Sequence, residues 1–372
     1  MKVGVVTEIK PGENRVALTP AGADILVAAG HHVQFQSGCG MGSGFTDDDY
    51  IQAGAQSQPE AAGVFKDCEM VLKVKEPLSS EWPMMRKGQT LFTYYHLAAD
   101  RKLTEACMET GSFCMAYETL EVGRTLPLLT PMSEVAGRMA IQAGAKILER
   151  HNGGSGILLG GVPGVKRAQV LVLGGGVVGT NAARMACGLG ADVTIMDLDL
   201  DRLRYLDEVM PRNCRTVFST PLAIREHLAF ADLVVGAVLI PGAAAPKLVR
   251  RADLSILKPG SVIVDVAVDQ GGCIETCKPT THDNPTYEVD GIVHYCVANM
   301  PGAVPRTSTQ ALTNATLSWT LKLAQLGTAE AIRQNEPLAT AANVVDGKVT
   351  CKAVAEAFDL EYVAPREAVE AL

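Results

Sequence analysis

The sequence predicts an α/β protein of two domains, in which a central domain is inserted into a second domain built from both chain ends. The chain has 372 residues, and at roughly 150 residues per domain this is enough for two or three domains. Short apolar strands alternate with helical segments in the first third, and the alternation restarts near residue 169. Such alternation is typical of mostly parallel sheets covered by helices on both faces.

The domain boundaries are expected where this alternation changes. We expect one domain at residues 131–304 and the other at residues 1–130 and 305–372. A helical pattern runs from Ser133 to Arg150, and Ser133, which follows a proline, is its expected N-cap. Clefts between domains commonly hold ligands, so the cleft between these two is where a site is expected.

The individual elements follow from apolar runs and turn residues. In the first domain strands are predicted at 2–6, 32–36, 70–74, 89–94 and 112–116, and helices at 19–29 and 100–110. In the central domain strands are predicted at 169–173, 192–196, 216–218, 233–236, 261–265 and 292–297. After the central domain, helices are predicted at 308–326 and 352–358.

Composition argues against several classes of protein. The net charge of −8 disfavours nucleic-acid binding, because an acidic surface repels phosphate backbones. The ten cysteines include no CxxC pair and are typical of a reducing compartment. The N-terminal stretch lacks the h-region and cleavage site of a signal peptide, and the longest apolar stretch, 233–246, is shorter than the ~20 residues that span a bilayer. A soluble cytoplasmic protein is expected, without a membrane or nucleic-acid partner.

A glycine-rich turn carries the most specific motif in the chain. Gly174, Gly176 and Gly179 have the spacing GxGxxG between the strand at 169–173 and a helical segment. The first glycine allows the tight turn, the second leaves space for a pyrophosphate, and the third lets the helix approach the strand. The N-terminus of the helix attracts phosphate. Because strand, turn and helix agree, the motif predicts a dinucleotide site.

The acidic residue that follows the motif indicates which dinucleotide binds. Asp197 ends the next strand, about 20 residues on, where a carboxylate accepts hydrogen bonds from ribose hydroxyls. Its charge would repel a 2′-phosphate, so NAD is favoured over NADP. Arg202 and Arg204 lie nearby and either cover a helix surface or contact the adenosine ribose.

Polar residues at the ends of other strands are candidates for a second site. Lys73 or Lys75 could bind a substrate carboxylate or carbonyl, although a solvated lysine is equally compatible with Lys75. His96 could transfer a proton near neutral pH or could simply be a loop or helix-cap histidine. Arg15 suits a bidentate grip on a carboxylate, against the alternative of a surface salt bridge. Asp269 is an acid, a base or a capping carboxylate.

Longer motifs span nearly the whole chain, at 1–20 (with Glu13-Asn14-Arg15-Val16), 74–77, 92–98, 131–137, 265–271 and 299–305. These motifs resemble those of the alanine dehydrogenases and of the NAD-binding subunit of proton-translocating transhydrogenase. The resemblance implies NAD-dependent oxidative deamination of L-alanine to pyruvate and ammonia by a homohexamer. The runner-up is the transhydrogenase subunit, a coupling module, and a non-catalytic NAD-binding or redox-sensing protein is a third possibility. Lys75, His96 and the expected lack of a trailing membrane segment favour alanine dehydrogenase.

The resemblance also assigns roles to individual residues. Arg15, Lys75 and Asn299 would bind the substrate, and His96 and Asp269 would be the acid/base pair. Together with the glycine motif it implies these NAD contacts: Ser133, Gly174, Gly176, Val177, Val178, Gly179, Asp197, Arg202, Ser219, Val238, Leu239, Val266, Asp269, Val297, Asn299 and Met300.

Two departures from the family pattern are visible. Gly175 stands where the family more often has alanine, which is not one of the three required glycines. Some relatives bind a metal through Glu118 and a late histidine, but residues 322–327 contain no histidine. No metal is therefore expected.

Overall fold

A computed structural model describes residues 1–238, 245–268 and 271–372. These residues form two compact units. Unit 1 comprises Met1–Met132 and Val304–Leu372, and unit 2 comprises Ser133–Ala303. Each unit contains a predominantly parallel sheet. The predicted fold class, an α/β domain inserted into a second α/β domain made from both chain ends, is confirmed.

The elements are numbered along the chain. The first part contains β1 (Lys2–Val5), α1 (Pro20–Ala28), β2 (His32–Gln36), α2 (Asp47–Gln52), β3 (Gln56–Gln58), α3 (Ala61–Asp67), β4 (Met70–Leu72), β5 (Thr90–Thr93), α4 (Arg101–Thr110), β6 (Phe113–Ala116) and α5 (Thr130–Ile147). The middle contains β7 (Gln169–Leu173), α6 (Val177–Gly188), β8 (Asp192–Asp197), α7 (Leu200–Val209), β9 (Cys214–Phe218), α8 (Pro221–Leu228), β10 (Leu233–Gly236), β11 (Val262–Asp265), β12 (Thr286–Val289) and β13 (Ile292–Tyr295). The last part contains α9 (Pro305–Leu326), α10 (Thr328–Gln334), α11 (Glu336–Ala341), β14 (Ala342–Val345), β15 (Lys348–Val349), α12 (Lys352–Phe358) and α13 (Pro365–Glu370). Short 3-10 helices include Met41–Ser43, Trp82–Met84, Leu97–Ala99, Tyr117–Thr119, Arg150–Asn152, Arg251–Ile256 and Met300–Ala303.

The sheet of unit 1 has the strand order β15-β14-β6-β5-β4-β1-β2-β3. Strands β1 to β6 pair in parallel, with Val3 opposite both Val33 and Met70. Strand β14 pairs antiparallel with β6, and β15 pairs antiparallel with β14, so the C-terminal part of the chain extends the sheet of the N-terminal part. Buried apolar side chains from both chain ends, including Leu91 and Val344, share one core.

Local sequence explains where the helices of unit 1 begin and end. Thr19 caps α1 by accepting a hydrogen bond from Gly22, and a proline occupies the first helical position, where no donor is needed. Asp100 caps α4 in the same way, and Gly111 ends that helix with a left-handed φ of 64°. These ends lie close to those predicted from the sequence.

Unit 2 has the strand order β12-β13-β11-β10-β7-β8-β9, in which all pairs except β12–β13 are parallel. The six parallel strands follow the order of a dinucleotide-binding sheet. Strand β7 is central, and the chain passes to β8 on one side and later returns to β10 on the other. Ligands of such sheets bind beyond the carboxyl ends of the strands at this switch point.

Two local expectations were wrong. Helix α5 begins at Thr130, so Ser133 lies inside its first turn and is not an N-cap. Proline is tolerated within the first turn, because amide groups there lack helical partners, and the helix therefore starts before Pro131. Strand β12 was not predicted, since its side chains alternate between exposed and half-buried positions and give little apolar signal.

The cysteines of the chain are unpaired. All ten cysteines lie within the described residues, and none forms a disulfide. Seven of them are buried and three are half-buried. Across the described residues, no helix combines the length and the apolar character needed to cross a bilayer.

Candidate active site

The candidate substrate residues of unit 1 follow neighbouring parallel strands. Lys75, His96 and Glu118 come shortly after β4, β5 and β6, and Arg15 lies in the long segment after β1. These four strands are adjacent in the sheet, in the order β6-β5-β4-β1. Because parallel strands end at a common edge, the fold brings the residues that follow them to the same end of unit 1.

Lys73 and Lys75 have different environments although they are two residues apart. Lys73 is fully buried, and its Nζ lies 3.2 Å from Oε2 of Glu8 and 2.8 Å from Oε1 of Glu81. Burial lowers the pKa of the Lys73 ammonium, but the two carboxylates together outweigh burial and raise it. Lys73 therefore has a structural role as the counter-ion of Glu8 and Glu81. Of the two lysines, only Lys75 has an ammonium group that could contact a substrate.

The ammonium group of Lys75 has no hydrogen-bond or ion-pair partner among the described residues. Its backbone carbonyl accepts a hydrogen bond of 2.9 Å from the hydroxyl of Thr93, which fixes the start of the side chain. The residue is half-buried, and its pKa is lowered first by burial and then by the positive charge of Arg15. Because Lys75 and Arg15 are both cations and Lys75 is partly desolvated, their electrostatic field favours the binding of an anion.

Arg15 is held by a carboxylate two residues earlier in the chain. Its Nε and Nη2 donate to the two oxygens of Glu13 at 2.7 and 2.5 Å, and its amide donates to Oε1 at 3.0 Å. Nη1 lies 3.1 Å from the sulfur of Met132. The side chain is only 3% exposed, so the alternative of a surface salt bridge is wrong. This bidentate pairing fixes the plane of the guanidinium.

His96 has an exposed imidazole on a constrained backbone. Its φ of 53° and ψ of 38° are left-handed, and its amide donates to Oε1 of Glu118 at 2.6 Å. The ring is parallel to that of Tyr94, with the centroids 6.2 Å apart. His96 is the N-cap residue of the 3-10 helix at Leu97–Ala99, as the loop or helix-cap interpretation expects. Its side chain makes no capping hydrogen bond, so the imidazole is not used by the cap.

The glycine turn of unit 2 meets the steric requirements of the motif. Gly174 has a φ of 103°, which favours glycine. A Cβ at Gly179 would collide with the carbonyl oxygen of Gly174, whereas a Cβ at Gly176 would meet nothing within 4 Å. Gly176 is the N-cap of α6 and offers no side-chain acceptor to the first amides of the helix. The surface there is open and rich in donors, which suits a phosphate group.

The side chains of Asp197 and Arg202 form hydrogen bonds with the backbone of this glycine turn. Asp197 accepts hydrogen bonds from the amides of Gly175 at 2.6 Å and Asp199 at 2.9 Å, one on each carboxylate oxygen. Arg202 donates to the carbonyl of Gly175 at 2.6 Å and to the hydroxyl of Thr180 at 2.8 Å. Each oxygen of Asp197 retains a lone pair, so the carboxylate can still accept from a ribose hydroxyl.

The other expected NAD contacts lie in unit 2 as well. Leu239 and Asp269 fall outside the described residues. Ser133 is in the first turn of α5, and Val177 and Val178 begin α6. Those that follow a strand or lie in a loop beyond it are Ser219 after β9, Val238 after β10, Val266 after β11, and Val297, Asn299 and Met300 after β13.

Asp265 organises the segment that follows β11. It is completely buried, and its carboxylate accepts hydrogen bonds from the amides of Ala267, Cys273 and Ile274 at 3.0 to 3.2 Å. Burial raises the pKa of Asp265 to about 6, against the opposing effect of these amides. Lys247 also donates to the carbonyl of Gly272 at 2.9 Å. The described residues on both sides of 269–270 are therefore anchored.

Three carboxylates with clear structural roles were not singled out from the sequence as site residues. Glu13 fixes Arg15, Glu118 fixes the backbone at His96, and Asp265 gathers the amides of its loop. The proximity of Glu13 to Arg15 in the sequence was a usable signal. The other two contacts involve residues that only the folded chain brings together. In the described part of the chain, no group of three or more His, Cys, Asp and Glu side chains could hold a metal ion.

Comparison with known proteins assigns this arrangement to a family. The family model "Alanine dehydrogenase/PNT, N-terminal domain" matches residues 4–136, and "Alanine dehydrogenase/PNT, C-terminal domain" matches residues 140–352. The chain belongs to the alanine dehydrogenase/PNT family. The predicted family resemblance is confirmed.

Individual relatives of this family cover nearly the whole chain. The sequence is 58% identical to an alanine dehydrogenase of Halomonas elongata over 98% of both chains. It is 55% identical to that of Bacillus subtilis over 100% of this chain and 98% of the relative. A solved L-alanine dehydrogenase superposes with a TM-score of 0.94 at 52% identity, over 96% of this chain and 99% of the other. A transhydrogenase of Sinorhizobium meliloti gives 0.81 at 26%, over 95% and 100%.

Replacement of each lysine by methionine should affect stability in opposite directions. Lys73→Met leaves Glu8 and Glu81 buried without a counter-ion, and we expect a loss of about 3–5 kcal/mol in the free energy of unfolding. Lys75→Met removes a partly buried charge next to Arg15 and should raise that free energy by about 1 kcal/mol. Urea unfolding of the two variants measures both. If Lys73→Met and Lys75→Met lowered the free energy of unfolding equally, the two lysines would not differ in the way proposed.

The titration of Asp265 should affect stability between pH 5 and pH 7. Its pKa is raised in the fold to about 6, so its stabilising contribution is complete below its unfolded pKa and is lost as the pH rises through 6. Relative to Asp265→Asn, which does not titrate, the wild type should lose about 1 kcal/mol over this interval. Urea unfolding followed by circular dichroism at both pH values measures the change. The exposed Asp283→Asn is the control, and no change specific to position 265 would refute the expectation.

Proposed function

We propose that the protein is an NAD-dependent alanine dehydrogenase that converts L-alanine and water to pyruvate and ammonia, reversibly, as NAD is reduced to NADH. The observation that carries the proposal is the pair of cations at the strand ends of unit 1. Arg15 is fixed by Glu13, and Lys75 has no partner among the described residues. The high identity to alanine dehydrogenases over the full chain supports the same activity.

The residues of unit 2 fit NAD as the cofactor. The unobstructed Gly176 and the uncapped start of α6 suit its pyrophosphate, and Asp197 suits the ribose hydroxyls. A carboxylate at that position disfavours the additional phosphate of NADP. When bound, NAD supplies the acceptor for the hydride that leaves Cα of L-alanine.

Substrate binding is the proposed task of Arg15 and Lys75. The guanidinium, whose plane Glu13 fixes, binds the carboxylate of L-alanine. The ammonium of Lys75 binds the neighbouring oxygen as a point charge. Fixing both groups leaves the substrate one orientation, and such positioning can lower a barrier by several kcal/mol. The family resemblance adds Asn299 to the residues that contact substrate.

Proton transfer is the proposed task of His96 and Asp269. Water adds to the imine carbon of the oxidised substrate, a general base removes its proton, and ammonia leaves after protonation. The exposed imidazole of His96 has a side chain free of capping bonds, which supports this role. Asp269 enters through the family resemblance alone, because it lies outside the described residues.

The remaining parts of the proposal concern assembly and location. The family resemblance supports a homohexamer. The ten unpaired cysteines support a reducing compartment, which in this proposal is the cytoplasm. Small-molecule substrates are the proposed partners, and no nucleic-acid partner is proposed for a chain with a net charge of −8.

The proposed reaction can be tested directly. Purified protein with NAD and L-alanine should produce NADH, measured by its absorbance, and pyruvate with NADH and ammonia should consume it. Lys75→Met should abolish both reactions while NADH still binds. A protein that binds NADH but reduces NAD with neither alanine, serine nor glycine would refute the proposal and favour a coupling module like the transhydrogenase subunit.

Asp197→Ala should weaken the preference for NAD over NADP. The variant loses the acceptor for the ribose hydroxyls and the charge that repels a 2′-phosphate. We expect the ratio of kcat/KM for NAD to that for NADP to fall by about tenfold or more, which corresponds to roughly 1.4 kcal/mol. Steady-state kinetics with both cofactors at fixed L-alanine give this ratio. The matched control is Asp201→Ala, an exposed aspartate on α7, and an unchanged ratio at position 197 would remove Asp197 from cofactor selection.

A further inference from the structure

The carboxylate of Glu118 lies against the backbone that carries His96. Oε1 accepts hydrogen bonds from the amides of Tyr95 at 3.0 Å and His96 at 2.6 Å, and Oε2 lies 3.3 Å from the amide of Tyr95. We propose that Glu118 is a positioning residue, which fixes the imidazole of His96 for proton transfer by holding two consecutive backbone amides. The proposal rests on the proposed function, since that function assigns the proton transfer to His96.

The backbone of His96 needs such a partner. Its φ of 53° is left-handed, a conformation that is unfavourable for a residue with a side chain. Among the described residues, the other non-glycine positions with positive φ are all aspartates, which can form local hydrogen bonds: Asp290, Asp346 and Asp359. Consecutive amides that point to one side form a concave anion site. The Glu118 carboxylate fills that site and offsets the cost.

The conformation of the backbone determines where the imidazole lies. The direction of a Cα–Cβ bond is set by φ and ψ, so a return of His96 to an extended conformation would move the ring away from Tyr94. In the structure the two rings are parallel within 9°. Tyr94 is itself fixed, because its hydroxyl donates to the carbonyl of Leu128 at 2.5 Å and its ring packs on the edge of Tyr117. The position of the imidazole thus depends on Glu118 through the backbone and on Tyr94 through the ring.

Glu118 contacts residues that follow the neighbouring strand of the sheet, and these residues are distant from it in sequence. It follows β6, whereas Tyr95 and His96 follow β5, and these strands pair in parallel. The link between the two strand ends is therefore a tertiary contact. Both carboxylate oxygens face amide donors, so the contact requires a hydrogen-bond acceptor at this position.

Two substitutions of Glu118 distinguish the role of its hydrogen-bond acceptor from the role of its negative charge. In Glu118→Gln the amide oxygen can replace Oε1, which makes both of the shorter contacts, so kcat for L-alanine oxidation should stay within about threefold of the wild type. Glu118→Ala removes the acceptor, and misplacement of the imidazole should lower kcat by about 10- to 100-fold. In both variants the KM for L-alanine should change by less than about threefold, since Arg15 and Lys75 are untouched.

A double-mutant cycle tests whether Glu118 acts through His96. In a His96→Ala background, Glu118→Ala should cause no further loss of kcat, because the group that it positions is absent. Glu121→Gln, an exposed carboxylate on the same segment, is the matched control and should have no effect on kcat. Equal losses from Glu118→Ala with and without His96, or equal losses from the Gln and Ala variants, would overturn the proposal.

A crystal structure of Glu118→Ala provides a test that is independent of activity. We expect His96 to leave the left-handed conformation and its ring to separate from Tyr94. If the wild-type protein had no activity with L-alanine, the proposed function would fail, but this structural result would still report on Glu118. A His96 conformation unchanged in the variant would refute the positioning role whatever the activity.

Discussion

The parallel pairing of adjacent strands is the constraint on which the rest of the structure depends. In both units the parallel strands end at a common edge, so residues far apart in the chain are collected there. In unit 1 this brings the segments with Arg15, Lys75 and His96 to one end. In unit 2 it places Gly174 and Asp197 at the ends of the neighbouring strands β7 and β8. Without the common direction of these strands, the loops that carry these residues would not lie at the same end of a sheet.

Carboxylates stabilise the loops that leave these strand ends. Glu118 and Asp265 accept hydrogen bonds from several backbone amides, and Asp197 holds the amide of Gly175. A buried amide without a partner costs free energy, and a buried carboxylate is costly without donors, so each group satisfies the other. These hydrogen bonds anchor the backbone of the loops. Rigid loops at an open edge are a suitable support for groups that must meet a ligand.

The distribution of charge separates the parts of unit 1 that maintain the fold from those that are available for chemistry. Lys73 and its two carboxylates are buried and mutually satisfied. Lys75 has no such partner among the described residues, and its lowered pKa reflects the cost of keeping a charge beside Arg15. The structural ion pairs of Lys73 and the proposed substrate contact of Lys75 thus involve residues only two positions apart after β4. The fold is shared with a transhydrogenase, so the activity has to be argued from these side chains and not from the topology.

The sequence by itself determined the fold class, most strands, about half of the helices and the glycine turn, because these depend on local periodicity and on the steric demands of single glycines. Motif resemblance also led to the family. Only the tertiary structure decided that Lys73 is satisfied while Lys75 is not, and that His96 is held by Glu118. Strands β14 and β15 likewise appeared only in the fold, since β14 pairs with β6 from a distant part of the chain and β15 pairs with β14. The counter-ion Glu8 of Lys73 and the amide partners of Glu118 come from parts of the chain that are distant in sequence, and local patterns do not indicate them.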